Sequence, residues 1–211
     1  MISDKETALM TAGYLLQIKA VKLSPKDLFT WASGIKSPIY CDNRVTLSYP
    51  EIRTYIRDRF AGIIRSHTGV PDVIAGVATG GIPQGALVAD ILQLPFVYVR
   101  TDRKDHGLTN QIEGKVESGQ DVVVVEDLIS TGRSSLDVVA ALKQAGCNIK
   151  AMVAIFTYNL PVSEKGFAAA GCPLYTLTDY DILVEKALAI KYITREDLAV
   201  LTGFKESLAN R

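Results

Sequence analysis

The rhythm of apolar and polar positions changes near residue 72. Between residues 4 and 20, Leu9, Ala12, Leu15, Leu16 and Ile18 recur at loosely helical spacing, which predicts an opening helix. Residues 28–49 lose that period. Aromatics, Ser, Gly and Pro crowd together in FTWASGIKSPIYCDNR, and the Pro and Gly predict turns and short extended pieces. Residues 50–66, PEIRTYIRDRFAGIIRS, return to an amphipathic helical pattern with Pro50 in its first turn.

Beyond residue 72 the chain alternates strand and helix. Apolar, β-rich runs stand at 73–77 (VIAGV), 96–99 (FVYV), 122–126 (VVVVE), 151–156 (AMVAIF) and 174–178 (LYTLT). Helical stretches fall between most of them, notably 83–93 and 134–146, the latter ending at Gly146. Continuous apolar strands alternating with helices predict an α/β fold whose central parallel sheet is covered on both faces. Ligands of such sheets bind beyond the carboxyl ends of the strands, so 77–83 and 126–134 are expected side by side at the site. Residues 71–178 form the core sheet in this reading. Residues 1–70 and part of 179–211 supply helices around it and an N-terminal hood, all in one domain spanning 1–211.

Composition narrows the function classes. The 23 basic and 23 acidic residues balance, so no global field favours nucleic acid or a membrane surface, and any anion chemistry must come from local clusters. Cys41, Cys147 and Cys172 are widely spaced without a CxxC pair, which predicts free thiols rather than a zinc site. The stretch MISDKETALM is too polar for a signal peptide, and no apolar run reaches membrane-spanning length. The expectation is a soluble, cytoplasmic protein.

Candidate chemistry concentrates in three stretches. In VVVVEDLISTGRSS, residues 122–135, four valines make a buried strand that delivers Glu126 and Asp127 to the end of the sheet. Adjacent carboxylates repel, so they need hydroxyls, a cation or a metal as partners. Leu128-Ile129-Ser130-Thr131-Gly132 follows, then a helix capped at Arg133 or Ser134. Small and hydroxylated residues let backbone N–H groups converge on an anion, and a helix start adds about half a positive charge. Acids for sugar hydroxyls followed by donors for a phosphate suit a ribose 5-phosphate, although an ordinary βα turn has the same outline. GVATGGIP, residues 76–83, reads equally as a tight turn or as a loop where Gly80 and Gly81 admit a ligand close to the backbone. In VRTDRKDHGLTNQIEGKVESGQ, residues 99–120, Arg100, Arg103, Lys104 and His106 fall within seven residues, in a stretch too long for a simple connection. No GxxxxGK[ST] and no strand-following GxGxxG exists, which removes the P-loop and dinucleotide-binding readings.

The first stretch resembles the phosphoribosyl-diphosphate signature of type I phosphoribosyltransferases: an apolar strand, two acids, two variable residues, then [ST]-[ST]-G, filled by Glu126, Asp127, Ser130, Thr131 and Gly132. The resemblance implies that Glu126 and Asp127 hold the ribose hydroxyls while Leu128, Ile129, Ser130, Thr131, Gly132, Arg133 and Ser134 wrap the 5′-phosphate. In similar enzymes the 76–83 loop contacts the diphosphate chiefly through backbone groups; some carry a lysine where this chain has Thr79 and Gly80. The pattern R-x-x-x-K-x-H-G, met by Arg100, Lys104, His106 and Gly107, is similar to the mobile catalytic loop of orotate phosphoribosyltransferases. By that resemblance residues 100–119 close over the neighbouring subunit's site in a homodimer, and Lys104 and Asp127 are catalytic. Where many relatives add a lysine just after the arginine, this chain has Thr101 and Asp102.

FTWASGIKSPIYCDNR resembles the hood segment of the same family, with its F-T-x-x-S-G-x-x-S-P-x-Y core. It aligns Tyr40 and Cys41 with positions that contact the orotate ring, as does Ser130, and Lys36 lies nearby. Some relatives place an arginine after the fourth strand for the orotate carboxylate; Phe156-Thr157-Tyr158-Asn159 stands there instead. The family implies phosphoribosyl diphosphate and orotate as substrates. It also implies Mg2+ held mainly by substrate and water rather than by a protein cage. Two rivals are a purine phosphoribosyltransferase and a non-catalytic regulator on the same fold; the latter needs a DNA-binding domain that the weakly basic first 25 residues do not supply.

Overall fold

In the computed structural model, which describes residues 4–31, 33–101 and 111–209, the continuous apolar runs lie in one six-stranded sheet. The chain opens with α1 (Lys5–Gln17), whose Asp4 cap accepts from the Thr7 N–H. Four short strands follow: β1 (Val21–Leu23), β2 (Phe29–Thr30), β3 (Lys36–Ser37) and β4 (Ile39–Cys41). They pair into two antiparallel ribbons, β1 with β4 and β2 with β3. A 3-10 turn at Asn43–Ser48 leads into α2 (Pro50–Ile63), with Pro in its first turn and a π-type turn to Thr68 at its end.

The sheet then builds from β5 (Val73–Val77), α3 (Gly81–Leu92), β6 (Phe96–Val99), β7 (Ile112–Glu113), β8 (Asp121–Ile129), α4 (Arg133–Gln144), β9 (Asn148–Thr157), α5 (Pro161–Ala169) and β10 (Leu174–Asp179). Helices α6 (Tyr180–Ala189) and α7 (Asp197–Ala209) close the chain. Strand order is β10-β9-β8-β5-β6-β7, parallel except for β7.

The four valines follow from this three-layer packing. Val123 and Val125 join Ile74, Val153 and Ile155 in a core under α1, α2, α3 and α6, whereas Val122 and Val124 join Val73, Ala75 and Met152 under α4 and α5. A strand buried on both faces has no polar position to alternate with. Among the described residues no helix is long and apolar enough to cross a membrane.

Several expected boundaries move. β8 does not stop at Glu126: its neighbour β9 runs on, pairing Leu128 with Phe156 and Ile129 with Thr157, so three more residues stay extended. The acids thus stand where β5 ends, its pairing with β8 finishing at Gly76–Val125. Helix α4 begins at Arg133 rather than being capped there or at Ser134; Gly132 is the cap residue, at φ 79°. Residues 100–119 are not one loop. Residues 102–110, which include Arg103, Lys104, His106 and Gly107, lie outside the described residues, but β7 adds to the sheet, Gln111 is buried, and Gly119 donates to the Gly146 carbonyl. The strand β7 and the helix α5 were too short to show a period in the sequence.

Candidate functional site

Glu126 and Asp127 have neighbouring backbones but unlike surroundings. Glu126 is 5% exposed; its Oε1 accepts from the Asp127 N–H at 2.9 Å and its Oε2 from the Ser135 hydroxyl at 3.1 Å. Burial pushes its carboxyl well above the usual carboxylate range, and the Asp127 charge pushes the same way. Burial also raises Asp127, against the lowering effects of the Glu126 contact and the Arg44 charge. Two half-desolvated acids side by side are stabilised as anions by anything that brings hydroxyl donors or a cation.

Asp127 faces the start of α3 at close range, where two glycines stand. A Cβ on Gly80 would stand 2.4–2.5 Å from the Asp127 carboxyl, and one on Gly81 would stand 2.2 Å from the Val125 carbonyl oxygen. The loop at 77–81 and the acid pair are therefore in direct contact, as the strand-end argument predicted. Beyond the acids, Ser130, Thr131, Arg133 and Ser134 are exposed around buried Gly132, which rests on Phe167. The α4 cap residue, Gly132, makes no side-chain cap hydrogen bond, and a helix start of this kind can receive an anion at its first-turn N–H groups.

On the other side of β8 lies a cavity of about 270 Å³ lined by Thr30, Trp31, Tyr40, Cys41, Leu128, Ser130 and Tyr158. Tyr40, Cys41 and Ser130, drawn from segments some 90 positions apart, thus share one cavity. Trp31 is fixed there by donating its Nε1–H to the Ile39 carbonyl at 2.9 Å and by edge contacts with Tyr158 and Phe204. Ser37 braces the same turn, its hydroxyl donating to the Ile39 carbonyl at 2.7 Å. Lys36 donates to the Thr30 hydroxyl at 2.7 Å, beside the rim. Burial raises the Cys41 thiol and the Tyr158 phenol well above their ordinary values, so both stay protonated.

Arg100 follows β6 at the same end of the sheet. It pairs with Glu113 at 3.2 Å, and its backbone N–H donates to the Gln111 carbonyl. Lys104 and His106 are among the residues outside the description. Trp31, Tyr158, Asn43, Thr30 and Ser135 are among the site residues that sequence reasoning did not assign. Trp31 stands at a variable position of the hood motif, which gives it no role by itself. Tyr158 enters the cavity only because β9 outruns the apolar pattern, and Asn43 gave a faint signal as part of the hood motif. Among the described residues no three His, Cys, Asp or Glu side chains converge as a metal site.

Known proteins share both sequence and fold. Residues 47–164 match the phosphoribosyl transferase domain family. The chain is 53% identical over 206 residues to the orotate phosphoribosyltransferase of Bacteroides thetaiotaomicron, covering 98% of this chain and 97% of that one. It is 56% identical over 196 residues to that of Lactococcus lactis subsp. lactis, covering 93% and 94%. The crystal structure of orotate phosphoribosyltransferase from Aeropyrum pernix superposes with a TM-score of 0.76 at 28% identity, over 88% of this chain and 100% of that one. With the two acids, a helix start and a cavity at one strand end, and identity above one half along nearly the whole length, the chain belongs to the orotate phosphoribosyltransferase family, on the type I phosphoribosyltransferase fold.

Proposed function

We propose that the chain transfers the 5-phosphoribosyl group from phosphoribosyl diphosphate to orotate, giving orotidine 5′-monophosphate and diphosphate, in pyrimidine nucleotide biosynthesis. One observation supports this reading: a cavity of about 270 Å³ between the hood and the end of β8 opens next to the acid pair and the start of α4, which would seat base, pentose and phosphate in succession. In this reading Glu126 and Asp127 accept hydrogen bonds from the ribose hydroxyls, and residues 128–134 donate to the 5′-phosphate. Tyr40, Cys41 and Ser130 contact the base through backbone and hydroxyl groups, with Trp31 and Tyr158 limiting its plane.

The reaction is a displacement at the anomeric carbon. The bond from C1 to the diphosphate oxygen breaks, diphosphate leaves with the electron pair, and the deprotonated orotate ring nitrogen forms the new bond from the opposite face. The protein supplies no nucleophile. Arg100, Lys104 and His106 stabilise the departing charge, and Lys104 is the group expected to matter most in the transition state. Arg100 must leave Glu113 to take part. The buried, anion-averse acid pair fits a cation arriving with substrate, and Asp127 is the residue that would meet magnesium, through water. When bound, magnesium neutralises diphosphate charge and orients the substrate. The functional unit in this proposal is a cytoplasmic homodimer in which the stretch from Arg100 to residue 110, ahead of β7, completes the neighbouring site.

Purified protein with orotate, phosphoribosyl diphosphate and magnesium should consume orotate, read as loss of its absorbance, in proportion to diphosphate released. Consumption of adenine or xanthine in its place would overturn the base assignment. Lys104→Ala should lower kcat by about 10²–10³ while orotidine monophosphate affinity changes little; near-normal turnover would remove the catalytic role of that residue.

A further inference from the structure

The two sides of the cavity come from segments some 90 positions apart in the chain. One is the hood, ending in Tyr40 and Cys41 on β4; the other is the end of β8, at Leu128, and Ser130 just beyond it. Asn43 stands between them. It is 1% exposed, and its Nδ2 donates to the Asp127 backbone carbonyl at 2.7 Å, one residue before the cavity wall begins. Its Oδ1 accepts from the Cys41 thiol at 3.3 Å, on the opposite wall. The thiol, held protonated by burial, is a donor, so the amide has one satisfied orientation, with the oxygen toward Cys41 and the NH₂ toward Asp127. The Asn43 carbonyl accepts from the Thr46 hydroxyl at 2.6 Å, and Gln84 of α3 donates to that hydroxyl at 3.4 Å. A buried polar chain thus joins β4, the 3-10 turn, β8 and α3.

We infer that Asn43 is a positioning residue that sets the distance between the base subsite and the ribose subsite. The inference rests on the function proposed above. A side chain that braces only the fold would affect every ligand alike, or none. A side chain that sets the separation of two subsites acts on ligands that span both. The acceptor nitrogen and the anomeric carbon must approach within bonding range, and a misplacement of about 1 Å can cost about a hundredfold in rate. Asn43 touches neither reacting atom; it acts through the Asp127 backbone and the Cys41 side chain.

The test compares a ligand that spans the two subsites with one that does not. Calorimetric titrations of orotidine monophosphate and of ribose 5-phosphate are run on the wild-type protein, on Asn43→Ala and on Asn43→Asp. The aspartate retains an acceptor for the Cys41 thiol but cannot donate to Asp127. Both variants should bind orotidine monophosphate about tenfold more weakly, as expected for a lost buried hydrogen bond. Ribose 5-phosphate affinity should stay within about twofold, and kcat should fall further than KM for phosphoribosyl diphosphate rises. Equal weakening of both ligands would overturn the inference, because Asn43 would then serve the pentose site alone, and so would unchanged binding of both. If Asn43→Ala does not fold, Asn43→Asp decides by the same readout; if neither folds, Asn43 is a folding residue and the inference fails. A wild-type protein that binds neither ligand would instead sink the proposed function.

Discussion

The sheet wall and the hood wall of the cavity are held in place by different means. On the sheet side, β8 is gripped in parallel register by β5 and β9, and its apolar positions are buried in two cores, so Glu126 and Asp127 inherit their places from a backbone ladder. On the hood side, strands of two or three residues cannot hold themselves; single hydrogen bonds from Trp31, Ser37 and Asn43, together with aromatic edges from Tyr158 and Phe204, fix Tyr40 and Cys41. Substitutions on the sheet side are therefore resisted by backbone, whereas those on the hood side loosen one side chain at a time.

Adjacent glycines sharpen this contrast. Gly81→Ala drives a Cβ against the Val125 backbone oxygen, which the ladder does not release, and should lower stability by about 3 kcal/mol, seen as a fall in Tm. Gly80→Ala meets only the movable end of Asp127, so stability should change by less than about 1 kcal/mol. The carboxyl is displaced all the same, and kcat/KM for phosphoribosyl diphosphate should fall severalfold or more. Equal Tm losses for the two variants would break the distinction between ladder and side chain.

On the hood side, Trp31→Ala removes the Ile39 tie and both aromatic contacts. It should raise KM for orotate about tenfold while ribose 5-phosphate affinity stays within about twofold. An unchanged KM for orotate would mean that the wall does not need this brace.

The smallest effect concerns pH. Burial holds the Glu126 carboxyl well above its unfolded value of about 4.3, so its contribution to stability is fully present below that value and is lost as pH rises through the raised folded one. Glu126→Gln removes this loss. The ligand-free variant should melt about 2–4 °C above wild type at pH 8, corresponding to about 1 kcal/mol, and close to wild type at pH 4. A pH-independent difference would contradict the burial argument.

The two walls also differed in how far they could be read from residues alone. The valine run, the acid pair and the small-residue loop are contiguous, so local pattern carried the alternation of strand and helix, the parallel sheet and the place of the acid pair at a strand end. The hood could be recognised only through its resemblance to a family, because two-residue strands have no period. Its working contacts join positions distant in the chain: Asn43 with Asp127, Trp31 with Phe204, Trp31 with Tyr158. The strand end was misjudged by three residues for a related reason, since the length of β8 is set by the reach of β9 and not by its own apolar run.

The central claim is that the end of β8 grips a phosphorylated pentose by its hydroxyls and its ester together. A crystal structure with orotidine monophosphate tests it most directly. The account predicts ribose hydroxyls on Glu126 and Asp127, phosphate among residues 130–134 and the base between Tyr40 and Ser130. Nucleotide bound in another crevice, with these residues facing solvent, would contradict it.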